Sequence, residues 1–448
     1  MEQQRYQYGI EFRRQPDGRL TGRQWFAALH LFASDIGEVT TSEGRLRNSG
    51  LALDLAFAGD SLVGTIGNAH PLNLERSAPL LVPPPRPAYP AAPPPVWVYR
   101  SEHGFWATPV ADAELAFIGD EGGHVHAVRL RDGSPAWHVD TGAPIHGAAL
   151  LAPGTVTVLN DAGHLVQLDR ATGRERWNRA IGGGAVARHL PAATEFSYDF
   201  AGPQPTLADA TLYVPTADGA VVALDSATGT VRWRTELGGL LRQSVLVAGP
   251  RLVVAAWSGR ITALSRAEGA VLWTLETGAP ATADPVRHGE QVLVSSRNSK
   301  LYSLALADGS VRWTRFHAGS WVESAPRVVG DELFIGSSDL RTVTCLDAAT
   351  GTERWTTDVL GWSWGTPAVA GETVYAGAAG ASGYPIAQDG GLVALDRRSG
   401  APKWRKPLPA DSRHYVTGIA GSPTVAAGLV LFADRAGELH ALPTTAPH

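Results

Sequence analysis

Short apolar runs, each ended by Gly, Asp or Asn, follow one another along most of this chain. Within the runs apolar and polar positions alternate, the period of a β-strand rather than of a helix. Segments such as ATPVADAELAFIG, SAPRVVGDELFIG, GTPAVAGETVYAG and GSPTVAAGLVLFA place a proline eight residues before the same point of the next strand: Pro109/Phe117, Pro326/Phe334, Pro367/Tyr375 and Pro423/Leu431. A Gly-containing turn, a strand of the VVALD type, a Thr-Gly turn and a strand of the VRWRT type complete each unit. The predicted unit is therefore four antiparallel strands, A to D.

The units repeat. Seven times the chain writes Gly-x-x-x-Trp: Gly133/Trp137, Gly173/Trp177, Gly229/Trp233, Gly269/Trp273, Gly309/Trp313, Gly351/Trp355 and Gly400/Trp404. Successive tryptophans are 40, 56, 40, 40, 42 and 49 residues apart, and a period near forty is the length of one propeller blade. Four copies read LDRATG, LDSATG, LDAATG and LDRRSG. There the Asp and the Ser/Thr suit a C–D turn closed by side-chain-to-backbone hydrogen bonds, with the tryptophan packed between neighbouring blades. The last unit stops after strand C, and a matching strand D stands upstream at residues 96–100, with Trp97 forty residues before Trp137. The expected fold is all-β: an eight-bladed β-propeller whose closure by residues 96–100 removes exposed sheet edges.

The recurring LDxxTGxxxW resembles the pyrroloquinoline-quinone-like (quinoprotein-type) repeat family, over roughly residues 96–448. That family includes the quinoprotein alcohol and glucose dehydrogenases and the propeller lipoprotein of outer-membrane protein assembly. The resemblance implies the fold; function must come from the site. Residues 1–78 lack the repeat and read as a small antiparallel β unit, a meander or half-barrel built from YGIEFRRQ, RLTGRQ, LALDLAF, SLVGTIG and PLNLERS. Residues 79–95, APLLVPPPRPAYPAAPP, read as a Pro-rich, semi-rigid linker.

Composition removes several function classes. A net charge of −5 without a Lys/Arg run argues against nucleic acid as partner. No apolar stretch is long enough for a transmembrane helix, and the first residues carry neither an export signal nor a lipid-attachment cysteine. The compartment implied is cytoplasmic if the chain begins here, periplasmic if a leader has been removed. One cysteine, Cys345 in TVTCLD, rules out an internal disulfide and reads as a small buried hydrophobe. Quinone-dependent dehydrogenases carry a vicinal cysteine pair, a Glu/Asn/Asp calcium set and chain beyond the propeller. A single Cys and the absence of CxxCH argue against that activity, and no cofactor or metal is expected. His124, His126, His164 and His440, which flank strand C, read as solvent-facing.

The period swells at residues 183–204, 378–390 and 407–421. All three fall in D-to-A or B-to-C connections and so on one face, where binding loops on a rigid scaffold are expected. The spare tryptophans agree. Counted back from the marker proline, Trp106, Glu323 and Trp364 share one column and Trp321 and Trp362 another, both of one strand parity. With His414 and Tyr415 from blade 8 they would line one sector of a funnel mouth. Opposite it, His146, Arg242, Asp284 and the insertion residues Arg188, His189, Glu195, Tyr198 and Asp199 contribute charge.

Two functions compete. The first is a small-molecule-handling propeller, with an apolar or aromatic ligand held by Trp106, Trp321, Trp362, Trp364, Tyr415, Arg242, His146 and His189. As a cofactor-free enzyme it would cyclise, isomerise or cleave that ligand, with Glu323 and His414 dividing acid and base roles. The second is a protein-interaction scaffold resembling the outer-membrane assembly propeller, with a partner on the same face. Aromatic residues at inner-strand starts also serve simply to plug a channel. An open pocket lined by Trp362, Trp364 and Glu323 favours the first function; a closed plug disfavours it.

Overall fold

A computed structural model describes residues 8–26, 31–49, 51–66, 70–75, 86–184, 186–192, 198–317, 319–384, 386–410 and 413–444. They form strands and connections, with no helix among them, and hence no helix able to cross a membrane. The chain divides into two compact units, residues 1–86 with 385–387, and residues 87–384 with 388–448.

In the first unit seven strands, Tyr8–Arg14, Leu20–Phe26, Leu31–Ser42, Arg45–Asn48, Leu53–Ala58, Ser61–Ile66 and His70–Glu75, pair in chain order. The outer two strands do not pair with each other, so the sheet is an open half-barrel. Its core is Val39, Leu46, Leu53 and Leu55, with Leu62, Leu72 and Leu74 packed around them. Leu53–Ala58 shows the alternating burial expected of a sheet with one covered face. Two of the seven strands, Leu31–Ser42 and Arg45–Asn48, were not legible as alternating runs. Register shifts opposite Gly22/Arg23 and Gln24/Phe26 break the period of the first.

The second unit is the eight-bladed propeller. Blade 1 comprises Val110–Ala111, Leu115–Gly119, His124–Arg129 and Pro135–Asp140. Blades 2 to 7 occupy residues 150–180, 206–236, 246–276, 286–316, 327–358 and 368–407. Blade 8 is Thr424–Ala426, Leu429–Ala433 and Glu438–Pro443, and its fourth strand is Trp97–Arg100. The closing pairs are Glu438↔Arg100, Leu439↔Tyr99, His440↔Val98 and Ala441↔Trp97. Residues 87–94, expected as linker, lie along the outer strand of blade 7. Ala91 bridges Arg405 in parallel, and Arg405 N donates to Pro90 O at 2.8 Å. Prolines suit such an edge because they need not donate to a ladder.

The repeat motif is a contact between blades. Each motif glycine sits on the tryptophan of the preceding blade, as Gly351 does on Trp313 and Gly400 on Trp355. Gly133 sits on Trp97, which joins blade 1 to blade 8. The indole Nε1 of Trp97 donates to Leu130 O, of Trp137 to Arg170 O, and of Trp355 to Arg397 O. Opposite six of the seven motif tryptophans stand small residues, Ala127, Ala223, Ala263, Ser303, Cys345 and Ala394, and opposite Trp177 stands Gln167, each beside a bulge. Cys345 fills one such slot, and burial pushes its thiol up to about 12. In the C–D turns Asp169, Asp225, Asp347 and Asp396 accept from two backbone amides and the Ser/Thr hydroxyl.

Candidate functional site

The start of strand A in every blade approaches the channel axis, where residues of adjacent blades are tied by side-chain-to-backbone bonds. Gln204 N donates to Ser244 Oγ at 3.0 Å and Ser244 N to Asp284 Oδ1 at 2.6 Å. Thr366 N donates to Ser422 Oγ at 2.8 Å and Ser422 N to Thr108 Oγ1 at 3.0 Å. Asp284 thus serves this ring, and burial raises its carboxyl above the usual range.

The insertion between blades 2 and 3 crosses the channel as Tyr198–Asp199–Phe200–Ala201. Lacking sheet neighbours, its carbonyls find side-chain donors, as buried backbone requires. Arg297 Nη2 donates to Tyr198 O at 2.7 Å, and His146 Nδ1 bonds Phe200 O at 2.9 Å. Arg188 Nη1 donates to Asp199 O and Ala201 O. The Asp199 carboxylate pairs with Arg242 at 2.7 Å and accepts from His189 N. Arg188 pairs with Asp161 at 2.5 Å. Burial and the Arg188 charge hold the His146 imidazole down to about 3, so it is neutral at physiological pH. His146, read as contributing charge, contributes a neutral hydrogen bond instead. Glu195 lies outside the described residues.

The aromatic side chains stack against this segment. Trp362 and Trp364 lie parallel with centroids 4.6 Å apart, Trp364 and Phe200 are at 4.8 Å, and Phe200 and Trp106 at 5.3 Å. Tyr198 meets Trp364 and Trp321, and Tyr384 meets Trp362 edge-on at 4.9 Å. Glu323 is buried and paired with Arg297 at 2.5 Å. The Arg297 guanidinium in turn lies over Tyr198, Trp257 and Trp321. Trp106 Nε1 donates to Glu121, whose carboxylate pairs with Arg435 stacked on the same indole.

The funnel is therefore neither open nor solid. One cavity of about 230 Å³ lies in the channel, against Trp106, His146, Phe200, Arg242, Asp284, Glu323 and Trp364. A second, of about 200 Å³, lies among the inserted loops, against Pro191, Ala192, Tyr198, Trp321, Ser338, Asp339, Trp362, Tyr384 and Tyr415. The two sequence columns part here: Trp106, Glu323 and Trp364 face the first cavity, Trp321 and Trp362 the second. Tyr415 joins the second, while His189 and His414 line neither. The loops do share a face, because the blade-7 strand Thr373–Ala381 pairs with Val416–Gly418 from the next connection.

Sequence reading missed Phe200, Asp339, Tyr384 and Arg297. A signal existed for part of this set. The first residue of six B–C turns, Glu121, Asp161, Trp257, Arg297, Ser338 and Arg435, forms a column, of which Trp257, Arg297, Ser338, Glu121 and Arg435 reach the aromatic side chains. The solvent-facing reading fails for His126 and His440, both buried, because strand C is covered on both faces by neighbouring blades. His126 links Tyr99 of the closing strand to Asp120, at 2.9 and 2.8 Å. Asp120, His124 and His126, and likewise Asp434, Glu438 and His440, stand close enough to hold an ion, a grouping their spacing had not suggested. Asp120 and Asp434 also cap their turns through His124 N and Glu438 N.

A family model described as outer membrane protein assembly factor BamB matches residues 92–196, 191–320 and 317–446. The chain belongs to this family of quinoprotein-type propellers. No curated protein sequence matches it. Among solved structures it resembles BamB from Moraxella catarrhalis, with 18% identity and a TM-score of 0.59, over 79% of this chain and 98% of that one. It also resembles quinohemoprotein alcohol dehydrogenase from Comamonas testosteroni, with 14% identity and a TM-score of 0.60, over 79% and 77% of the two chains. The computationally designed Ika8 protein matches at 15% identity and a TM-score of 0.57, over 77% and 97%. At these identities the likeness shows the fold alone, which BamB and a dehydrogenase share.

Proposed function

We propose that this BamB-family propeller is a small-molecule-binding protein whose site is the aromatic cleft on the inserted face. One observation carries the reading: separate loops bring Tyr198, Trp321, Trp362, Tyr384 and Tyr415 around one cavity with walls fixed by hydrogen bonds. Trp362 Nε1 and Tyr384 Oη both donate to Asp339, at 2.9 and 3.0 Å. A preformed, mostly apolar hollow with few polar groups is the usual form of a ligand site. Binding is favoured over acid–base catalysis because Glu323 is committed to Arg297 and His414 lies outside both cavities. Quinone chemistry has poor support from the residues present. The channel is crossed by Tyr198–Ala201, and Cys345, the single cysteine, sits opposite Trp355 in an interblade contact and lines neither cavity.

A thermal-shift screen of charged and neutral fragments, repeated on Trp321→Ala, tests the reading. Hits that stabilise the protein and are lost in the variant are expected. No hit, or hits indifferent to Trp321, would overturn it. The family description favours a second reading, a scaffold binding a protein through the same loops. Crosslinks placing a partner across the inserted loops, with no fragment engaging the cleft, would favour it over the first.

A further inference from the structure

We propose that the cleft selects a small organic cation, an alkylated ammonium group, held by Asp339 and the surrounding aromatic faces. This rests on the cleft being a ligand site and names the chemistry of the ligand. The first observation is a missing partner. Four carboxylates around the aromatic stack are matched with arginines, Asp161 with Arg188, Asp199 with Arg242, Glu323 with Arg297 and Glu121 with Arg435, and Asp284 is taken up by the inner ring through Ser244 N. Asp339 has no cationic partner among the described residues. Its hydrogen bonds come from neutral groups, the Trp362 indole and the Tyr384 phenol. Burial accordingly raises its carboxyl above the ordinary range, against the lowering effect of those two donors. A carboxylate desolvated in this way is stabilised by a cation brought from outside.

The walls point the same way. Tyr and Trp rings carry negative faces that attract ammonium groups and repel anions. The protein already uses this attraction, with Arg297 4.8 Å from the Tyr198 ring and 4.5 Å from the Trp321 ring. Arg297 does not line the cleft, and Glu323 compensates its charge. The remaining question is which cation. Asp339 already accepts from Trp362 and Tyr384, and the Ser338 hydroxyl accepts from Trp364 Nε1 at 3.2 Å. For the N–H groups of a primary ammonium or a guanidinium the lining offers the remaining lone pairs of Asp339 and the hydroxyls of Ser338, Tyr198, Tyr384 and Tyr415, but no second carboxylate. An alkylated ammonium needs none of these acceptors, and a cavity of about 200 Å³ suits a compact one.

Isothermal titration calorimetry on the full chain tests this with choline and with dimethylbutanol, its uncharged carbon isostere. Choline is expected to bind at least tenfold more tightly than the isostere. Asp339→Asn, which keeps an acceptor for Trp362 and Tyr384, should weaken choline at least tenfold and leave the isostere unchanged. Tyr415→Ala, at a partly exposed ring, should also weaken choline, and it replaces Asp339→Asn should that variant fail to fold. Equal affinity for the two probes overturns the charge inference and leaves the small-molecule reading standing. Absence of choline binding, or binding indifferent to both substitutions, overturns the cation proposal; the fragment screen then decides whether the cleft binds anything.

Discussion

Replacing Glu323 by glutamine should unsettle the aromatic stack across the channel, and the structure allows the size of the effect to be worked out. Arg297 and Glu323 expose only 4% and 2% of their side chains and meet at 2.5 Å. Arg297 also holds the Tyr198 carbonyl and lies over three rings. Removing one partner of a buried pair costs about 3–5 kcal/mol, because the other charge is left uncompensated. The three rings and the amide oxygen of the introduced glutamine stay near the guanidinium, which reduces the expected loss to about 2–4 kcal/mol. That is a large part of a typical total stability of about 5–15 kcal/mol. Equilibrium urea unfolding followed by tryptophan fluorescence measures it. Arg297→Met and the double variant complete a cycle, in which the double variant should be at least about 1.5 kcal/mol less damaging than the sum of the singles. A Glu323→Gln protein within about 0.5 kcal/mol of the parent, or an additive cycle, would refute the reasoning. Glu323 would then be free for the acid–base role that the pairing denies it.

Two further outcomes follow from the scaffold. Gly351 has φ +72°, and an added Cβ would lie 2.7 Å from Trp313 Cε3, whereas Gly371, at φ +54°, has open space. Gly371→Ala should cost about 1–2 kcal/mol for the left-handed backbone alone. Gly351→Ala should cost about 1–3 kcal/mol more for displacing the indole, and equal denaturation midpoints for the two variants would refute the interblade role of the motif. Burial holds both His146 and His317 down to about 3. Unfolded histidine binds its proton near pH 6.5, so acidification below that value favours the unfolded chain, by about 2 kcal/mol per histidine at pH 5. The raised carboxyls of Asp284 and Asp339 act in the opposite sense. Urea midpoints at pH 7 and pH 5 should fall with acid, and His317→Gln should flatten the slope; a pH-independent midpoint would count against buried neutral imidazoles.

The propeller was legible in the sequence because its determinants are local and repeated. Strand alternation, the Asp and Ser/Thr of each C–D turn, and the Gly-x-x-x-Trp spacing all act within one blade or between sequential neighbours. Trp97 forty residues before Trp137 likewise announced the closing strand. The columns of Trp106, Glu323 and Trp364, and of Trp321 and Trp362, were legible for the same reason, since a shared register carries equivalent residues to equivalent depths. The tertiary structure alone decided what each position meets across the axis. Phe200 enters the stack because an insertion between blades 2 and 3 folds over the channel, a path no repeat constrains. His126 and His440 are buried because neighbouring blades cover both faces of strand C, so alternation there has no wet side. Asp339 becomes a carboxylate without a cationic partner among the described residues only when loops from blades 6, 7 and 8 close around it. Local periodicity specifies a blade, whereas the pairing of charges across a closed ring depends on which residues the closure brings together.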